Sequence, residues 1–120
     1  MKVVVTAQGP SLESFVDPRF GRARYFVLAD TESGEFSSHD NAQNLDALQG
    51  AGIQAAQTVA RLGAQAVLTG HVGPKAFATL KAAKVLVFTS VTGTVAEAID
   101  RVKAGNLRPA QTADVQGHWS

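Results

Sequence analysis

Three short apolar runs, KVVVTA at residues 2–7, AVLT at 66–69 and VLVF at 85–88, show no polar–apolar alternation. A strand with one wet face alternates, whereas a strand covered on both faces does not. Each run ends in a segment containing glycine: Gln8-Gly9-Pro10-Ser11, Gly70-His71-Val72-Gly73 and the stretch Thr89 to Gly93. The last two lead into helical patterns. This arrangement predicts a buried parallel sheet whose strands leave through loops at their carboxyl ends.

The remaining segments fit around that sheet. Residues 24–30 (RYFVLAD) read as a strand, Thr31-Glu32-Ser33-Gly34 as a turn, and residues 35–39 as a short polar strand completing an edge hairpin. Residues 40–49 form a linker. From about 51 to 62, Ile53, Ala56, Val59, Ala60 and Leu62 recur at helical spacing, with Gly63 as C-cap. Helices are expected at about 74–81, with Pro74 in the first turn, and at about 94–104, closed by Gly105. The order is β-β-β-α-β-α-β-α, an α/β chain with a mixed five-stranded sheet and helices on both faces. Residues 1–107 form one domain and residues 108–120 a polar C-terminal tail.

Composition excludes several function classes. A length of 120 residues, 45% apolar and 18% charged, suits one ordinary globular domain. The net charge of +1 offers no general field for nucleic acid, so any cationic site is local. The absence of cysteine removes disulfides, thiolate ligands and thiol nucleophiles together. The apolar run at the amino terminus is too short for a signal peptide, and no run is long enough to span a bilayer, so the cytoplasm is the expected location. No G-x-x-x-x-G-K-[ST], G-x-G-x-x-G or H-E-x-x-H motif occurs, and the ten acidic residues are scattered.

In open parallel sheets, ligands collect outside the carboxyl ends of the strands. The loops at 8–22, 70–74 and 89–94 are the three candidates. The first contains Asp17-Pro18-Arg19-Phe20-Gly21-Arg22, in which two permanent cations sit beside a rigid proline and a permissive glycine. Arg19 and Arg22 are the candidate anion contacts, and Asp17 is expected to be structural; the plain alternative is that Asp17 pairs with an arginine and pins the loop. In the second loop, Gly70, His71 and Gly73 combine an imidazole, close backbone approach and a helix start. Lys75 reads equally as a solvated helix charge. In the third, Thr89 and Gly93 belong to a hydroxyl-rich turn whose simplest role is an N-cap, with backbone contact to an anion as a second use. His39, Asn41, His118 and Trp119 carry no supporting pattern.

Taken together, DPRFGRARYF, the asparagine-containing linker, GAGIQAAQTVARLGAQAVLTGHVGPKAF and VLVFTSVTGTVAEAIDRVKAGNL resemble the dinitrogenase iron–molybdenum cofactor biosynthesis family, the small domains related to NifX, NafY and the C-terminal part of NifB. The resemblance runs from residue 2 to about 107. It implies a three-layer ribonuclease H-like fold and a non-enzymatic role in binding iron–molybdenum cofactor or its precursors, with Arg19, Arg22 and His71 on ligand-facing loops. Family members with a cysteine near these loops have no counterpart here. The cysteine-free chain resembles the orange-protein subgroup, which holds a molybdenum–copper sulfide cluster non-covalently, with a generic cluster carrier as the alternative. Such a role implies cluster-delivery or ATPase proteins as partners, and neither nucleic acid nor membrane. Two other readings compete: a ribonuclease H-like phosphodiesterase, which lacks the expected carboxylate set, and a sensor of small anions or nucleotides.

Overall fold

A computed structural model of the chain describes residues 1–41 and 50–113. Its elements run β1 (Lys2–Ala7), a 3-10 turn (Phe20–Arg22), β2 (Tyr25–Asp30), β3 (Phe36–Asp40), α1 (Ala51–Arg61), β4 (Ala66–Leu68), α2 (Pro74–Ala82), β5 (Leu86–Phe88) and α3 (Val95–Lys103). The strands form one sheet in the order β3-β2-β1-β4-β5. β1, β4 and β5 are parallel, and β2 runs antiparallel to both of its neighbours. The expected α/β architecture with a mixed five-stranded sheet is therefore present.

The missing alternation has the anticipated cause. Successive side chains of β1 point to opposite faces, and each face is covered. Val4, Phe26 and Val67 pack with α1 and α2 on one face. Val5, Val27 and Leu68 pack with α3 on the other. β3 carries an exposed or half-buried residue at every position, as an edge strand does.

The three helices among the described residues stop in the same way. At α1, the N–H of Gly63 donates to Ala60 O and that of Ala64 to Val59 O, a Schellman pair. Gly105 and Asn106 repeat it on α3, and Lys84 and Val85 on α2. The pattern needs a left-handed residue, supplied by Gly63 at φ 78°, Gly105 at φ 74° and, without glycine, Lys84 at φ 62°. Because Val85 N–H closes α2, β5 begins one residue later than the apolar run suggests.

Beyond α3, the Ala110 N–H donates to Val87 O at 2.7 Å, and Ala110 and Ala113 pack against the α1–α2 side of the core. Asn41 is buried, and its Nδ2 donates to Ala23 O at 2.8 Å. The rest of the expected linker, 42–49, and residues 114–120, including His118 and Trp119, lie outside the described residues. Among the described residues, no helix is long and apolar enough to cross a membrane.

Candidate functional site

The carboxyl ends of the parallel strands are tied together by one segment, residues 15–19. Phe15 forms a β-bridge with Thr94, Val16 with Ala7, and Arg19, in parallel sense, with His71. Between them, Asp17 N–H donates to Thr6 O at 2.8 Å and Val16 N–H to Gly93 O at 2.9 Å. The segment thus crosses from the end of the 89–94 loop, over β1, to the loop after β4. All three glycine-containing loops meet along it.

The crossing is close enough to require glycine. A Cβ built on Gly70 would lie 2.6 Å from both the Cα and the carbonyl oxygen of Pro18. On either side, His71 N–H donates to Pro18 O at 2.7 Å and Phe20 N–H to His71 O at 3.2 Å. Beneath it, the buried Thr6 hydroxyl donates to Asp17 O at 2.8 Å and shares a 2.7 Å hydrogen bond with the Thr69 hydroxyl. These threonines lie near the carboxyl ends of two largely apolar strand runs, KVVVTA and AVLT, and that position is their visible signal in the sequence. A hydroxyl without a partner there would lose the hydration that buried polar groups need replaced.

Arg19 and His71 are brought together, since bridged residues project their side chains to the same side of a ladder. Arg19 is exposed and His71 half-buried. Arg22 closes the 3-10 turn, its N–H donating to Arg19 O at 3.3 Å. Phe20 and Gly21 are buried under this turn, so the arginines are set by a core anchor between them. Asp17 is 6% exposed, and its Oδ1 accepts the Arg19 backbone N–H at 3.0 Å. Its carboxylate holds the loop through the main chain. Asp30 and Glu32 each lie 3.9 Å from the terminal ammonium, and neither of these ion pairs involves Arg19.

The other expected residues divide. Gly73 is buried and precedes α2 with no side-chain cap; since Pro74 has no N–H, the first donors of that helix belong to Lys75 and Ala76. Lys75 itself is exposed. Thr89 is half-buried beside Ser90, a non-glycine residue at φ 60°. Several N–H groups of this loop are already engaged: Ser90 donates to Gly70 O at 2.7 Å and Val91 to Thr69 O at 3.0 Å. Gly93 adopts φ 91° and lies against the Glu97 and Arg101 side chains. His39 stands apart on the edge strand, with Nε2 3.0 Å from Ser37 Oγ.

The hydroxyl-rich turn does cap α3. Thr94 Oγ1 accepts Glu97 N–H at 3.1 Å, and Glu97 Oε1 accepts Thr94 N–H at 2.9 Å. Arg101 also donates to Thr92 O. The hydrogen bond from the Thr94 backbone, followed by that with its side chain, holds the Glu97 carboxyl below its ordinary value of 4.5. A lowered folded-state pKa stabilises the fold above the ordinary value, and that contribution is lost as pH falls through the lowered one. Glu97→Gln is therefore expected to weaken the protein at neutral pH and to flatten its acid destabilisation below about pH 4.5, read from urea midpoints against pH. Identical slopes in both proteins would refute this role.

Among the described residues, surface grooves lie elsewhere, of about 230 Å³ beside β3, about 430 Å³ between α2, β5 and residues 109–112, and about 160 Å³ beside α3. Among the described residues, no three His, Cys, Asp or Glu side chains gather as a metal-ligand set. The chemistry gathered at the strand ends is instead that of a fixed cation, an imidazole and backbone donors.

The chain is similar in sequence and fold to known proteins. The apo form of the orange protein from Desulfovibrio gigas is 42% identical, superposes with a TM-score of 0.93, and is matched over 95% of this chain and 96% of its own. A putative NifB protein from Thermotoga is 37% identical with a TM-score of 0.82, over 97% and 98% of the two chains. An uncharacterised protein of Methanocaldococcus jannaschii is 28% identical over 94 residues, 77% of this chain and 80% of its own. A family model described as dinitrogenase iron–molybdenum cofactor matches residues 1–105, and the chain belongs to that family.

Proposed function

We propose that this protein binds and carries an anionic metal–sulfur cluster as cargo, of the molybdenum–copper sulfide or iron–molybdenum cofactor type, and catalyses no reaction of its own. The observation that carries the reading is the bridge between Arg19 and His71, which sets a permanent cation beside an imidazole at the carboxyl edge of the parallel strands. The full-length similarity to the orange protein supports the copper–molybdenum form of the cargo.

The residues suit such a group. A preformed cluster brings its own sulfides, so a chain without cysteine needs only to supply positive charge, N–H donors and shielding. Arg19 and Arg22 supply charge-assisted donors, and His71 supplies a ring nitrogen. Gly70, Gly73, Thr89 and Gly93 shape the surrounding backbone. In this reading the domain is ribonuclease H-like and spans residues 1–107, residues 108–120 form a C-terminal tail, and the protein works in the cytoplasm with cluster-delivery or ATPase proteins.

Mixing the protein with tetrathiomolybdate and copper is expected to give a coloured complex that passes a desalting column with the protein and contains both metals. A colourless protein under all such conditions would overturn the reading.

A further inference from the structure

Phe15 is 61% exposed, more than Phe36 at 46% or Leu86 at 45%. The other two lie on the outer strands of the sheet, β3 and β5. Phe15 instead stands at the start of the 15–19 segment, on a backbone held from several directions. Gln8 N–H donates to Phe15 O at 2.9 Å, Val95 N–H to Ser14 O at 2.9 Å, and Phe15 itself bridges Thr94. An aromatic ring is thus kept in water by a loop that has little freedom to bury it.

Guanidinium and N–H donors alone do not select a metal–sulfur anion. They grip phosphate, sulfate and molybdate by the same charge-assisted bonds. What separates a thiometallate from an oxyanion is its surface: sulfide is large, polarisable and weakly hydrated, and it makes favourable contact with the electropositive edge of an aromatic ring. Strongly hydrated oxo ligands gain nothing there. Phe15 lies four residues from Arg19, at most about 13 Å along extended chain, a span that a multi-metal cluster and two side chains can bridge.

We propose that Phe15 is the specificity-determining residue of this site, which makes its ligand class thiometallates in preference to oxometallates. The proposal rests on the cluster-binding reading above and adds the means of discrimination.

The test is equilibrium dialysis of the intact protein against tetrathiomolybdate and, separately, molybdate, each without copper. Wild type is expected to prefer the thiometallate. In Phe15→Ala that preference is expected to fall about fivefold, with molybdate binding and the melting midpoint unchanged. Phe15→Leu, which keeps the bulk but not the ring, is expected to lose preference in the same direction and decides the matter should the alanine variant not fold. An undiminished preference in these variants, with wild type discriminating, overturns the role of Phe15 and leaves cluster binding standing. Wild type that binds both anions equally also overturns it. Wild type that binds neither anion also overturns the role of Phe15, while cluster binding itself stands or falls with the separate mixture of tetrathiomolybdate and copper.

Discussion

Replacing Gly70 by alanine is expected to cost about 2–3 kcal/mol of stability, among the largest effects of any single methyl group in this chain. The added Cβ would meet Pro18 Cα and O at 2.6 Å each and Pro18 Cβ at 2.9 Å. Two of these atoms are backbone, so no rotamer change relieves the overlap. An opposing gain of about 0.4–1 kcal/mol comes from restricting the unfolded chain, since Gly70 lacks the left-handed conformation that would penalise alanine. The steric term wins because the Pro18 backbone is pinned on both sides, by His71 N–H and by the Phe20–His71 bond. Urea unfolding reads the cost directly. A midpoint equal to wild type would mean that the 15–19 segment yields freely, and would remove its claim to hold Arg19 beside His71.

Arg19→Ala is expected to do the reverse: leave the fold intact and weaken cluster binding about tenfold. The guanidinium is exposed and forms no ion pair with a described carboxylate, so stability should change by less than about 0.5 kcal/mol. A charge-assisted bond is worth about 1.5–3 kcal/mol, and about 1.4 kcal/mol corresponds to a factor of ten, so a solvent-discounted tenfold loss is the lower end. Removing Arg22 as well should deepen the loss. In wild type, retention should decline as salt rises above 0.1 M, where charges more than about 10 Å apart are screened, and the variant should show a shallower decline. The readout is the fraction of metal eluting with protein at each salt concentration. Retention identical to wild type at every concentration would take Arg19 out of the site.

The two effects separate what the sequence displays from what it hides. β1 and β4 were legible because coverage on both faces leaves a chemical trace, a run of Val and Leu without alternation, whereas β5, expected from VLVF to be buried as well, is an outer strand with Leu86 45% exposed. The hairpin was legible from Thr31-Glu32-Ser33-Gly34, where Glu32 and Ser33 N–H groups do turn back to Asp30 Oδ1. The 15–19 segment left almost no trace, because it is made of main-chain hydrogen bonds that nearly any side chain permits. Its one steric demand falls on Gly70, and a glycine in a loop admits many readings. Asp17, expected to be structural with pairing to an arginine as the alternative, holds the loop by a local bond: its carboxylate takes a backbone N–H two residues on, as Asx turns do.

The Arg19–His71 bridge also fixes when the proposed binding surface comes into being. Its partners are separated by 52 positions, and the supporting Thr6–Thr69 bond by 63. Contacts of such sequence separation must overcome a large loop-closure entropy, which places them late in folding. During synthesis, residue 19 emerges long before residue 71, and the Phe15–Thr94 bridge waits for still later chain. A nascent protein therefore displays its arginines without their assembled setting. On the cluster-binding proposal, loading follows the emergence of residue 94, and capture of a coloured ligand during refolding would time the last step of sheet assembly.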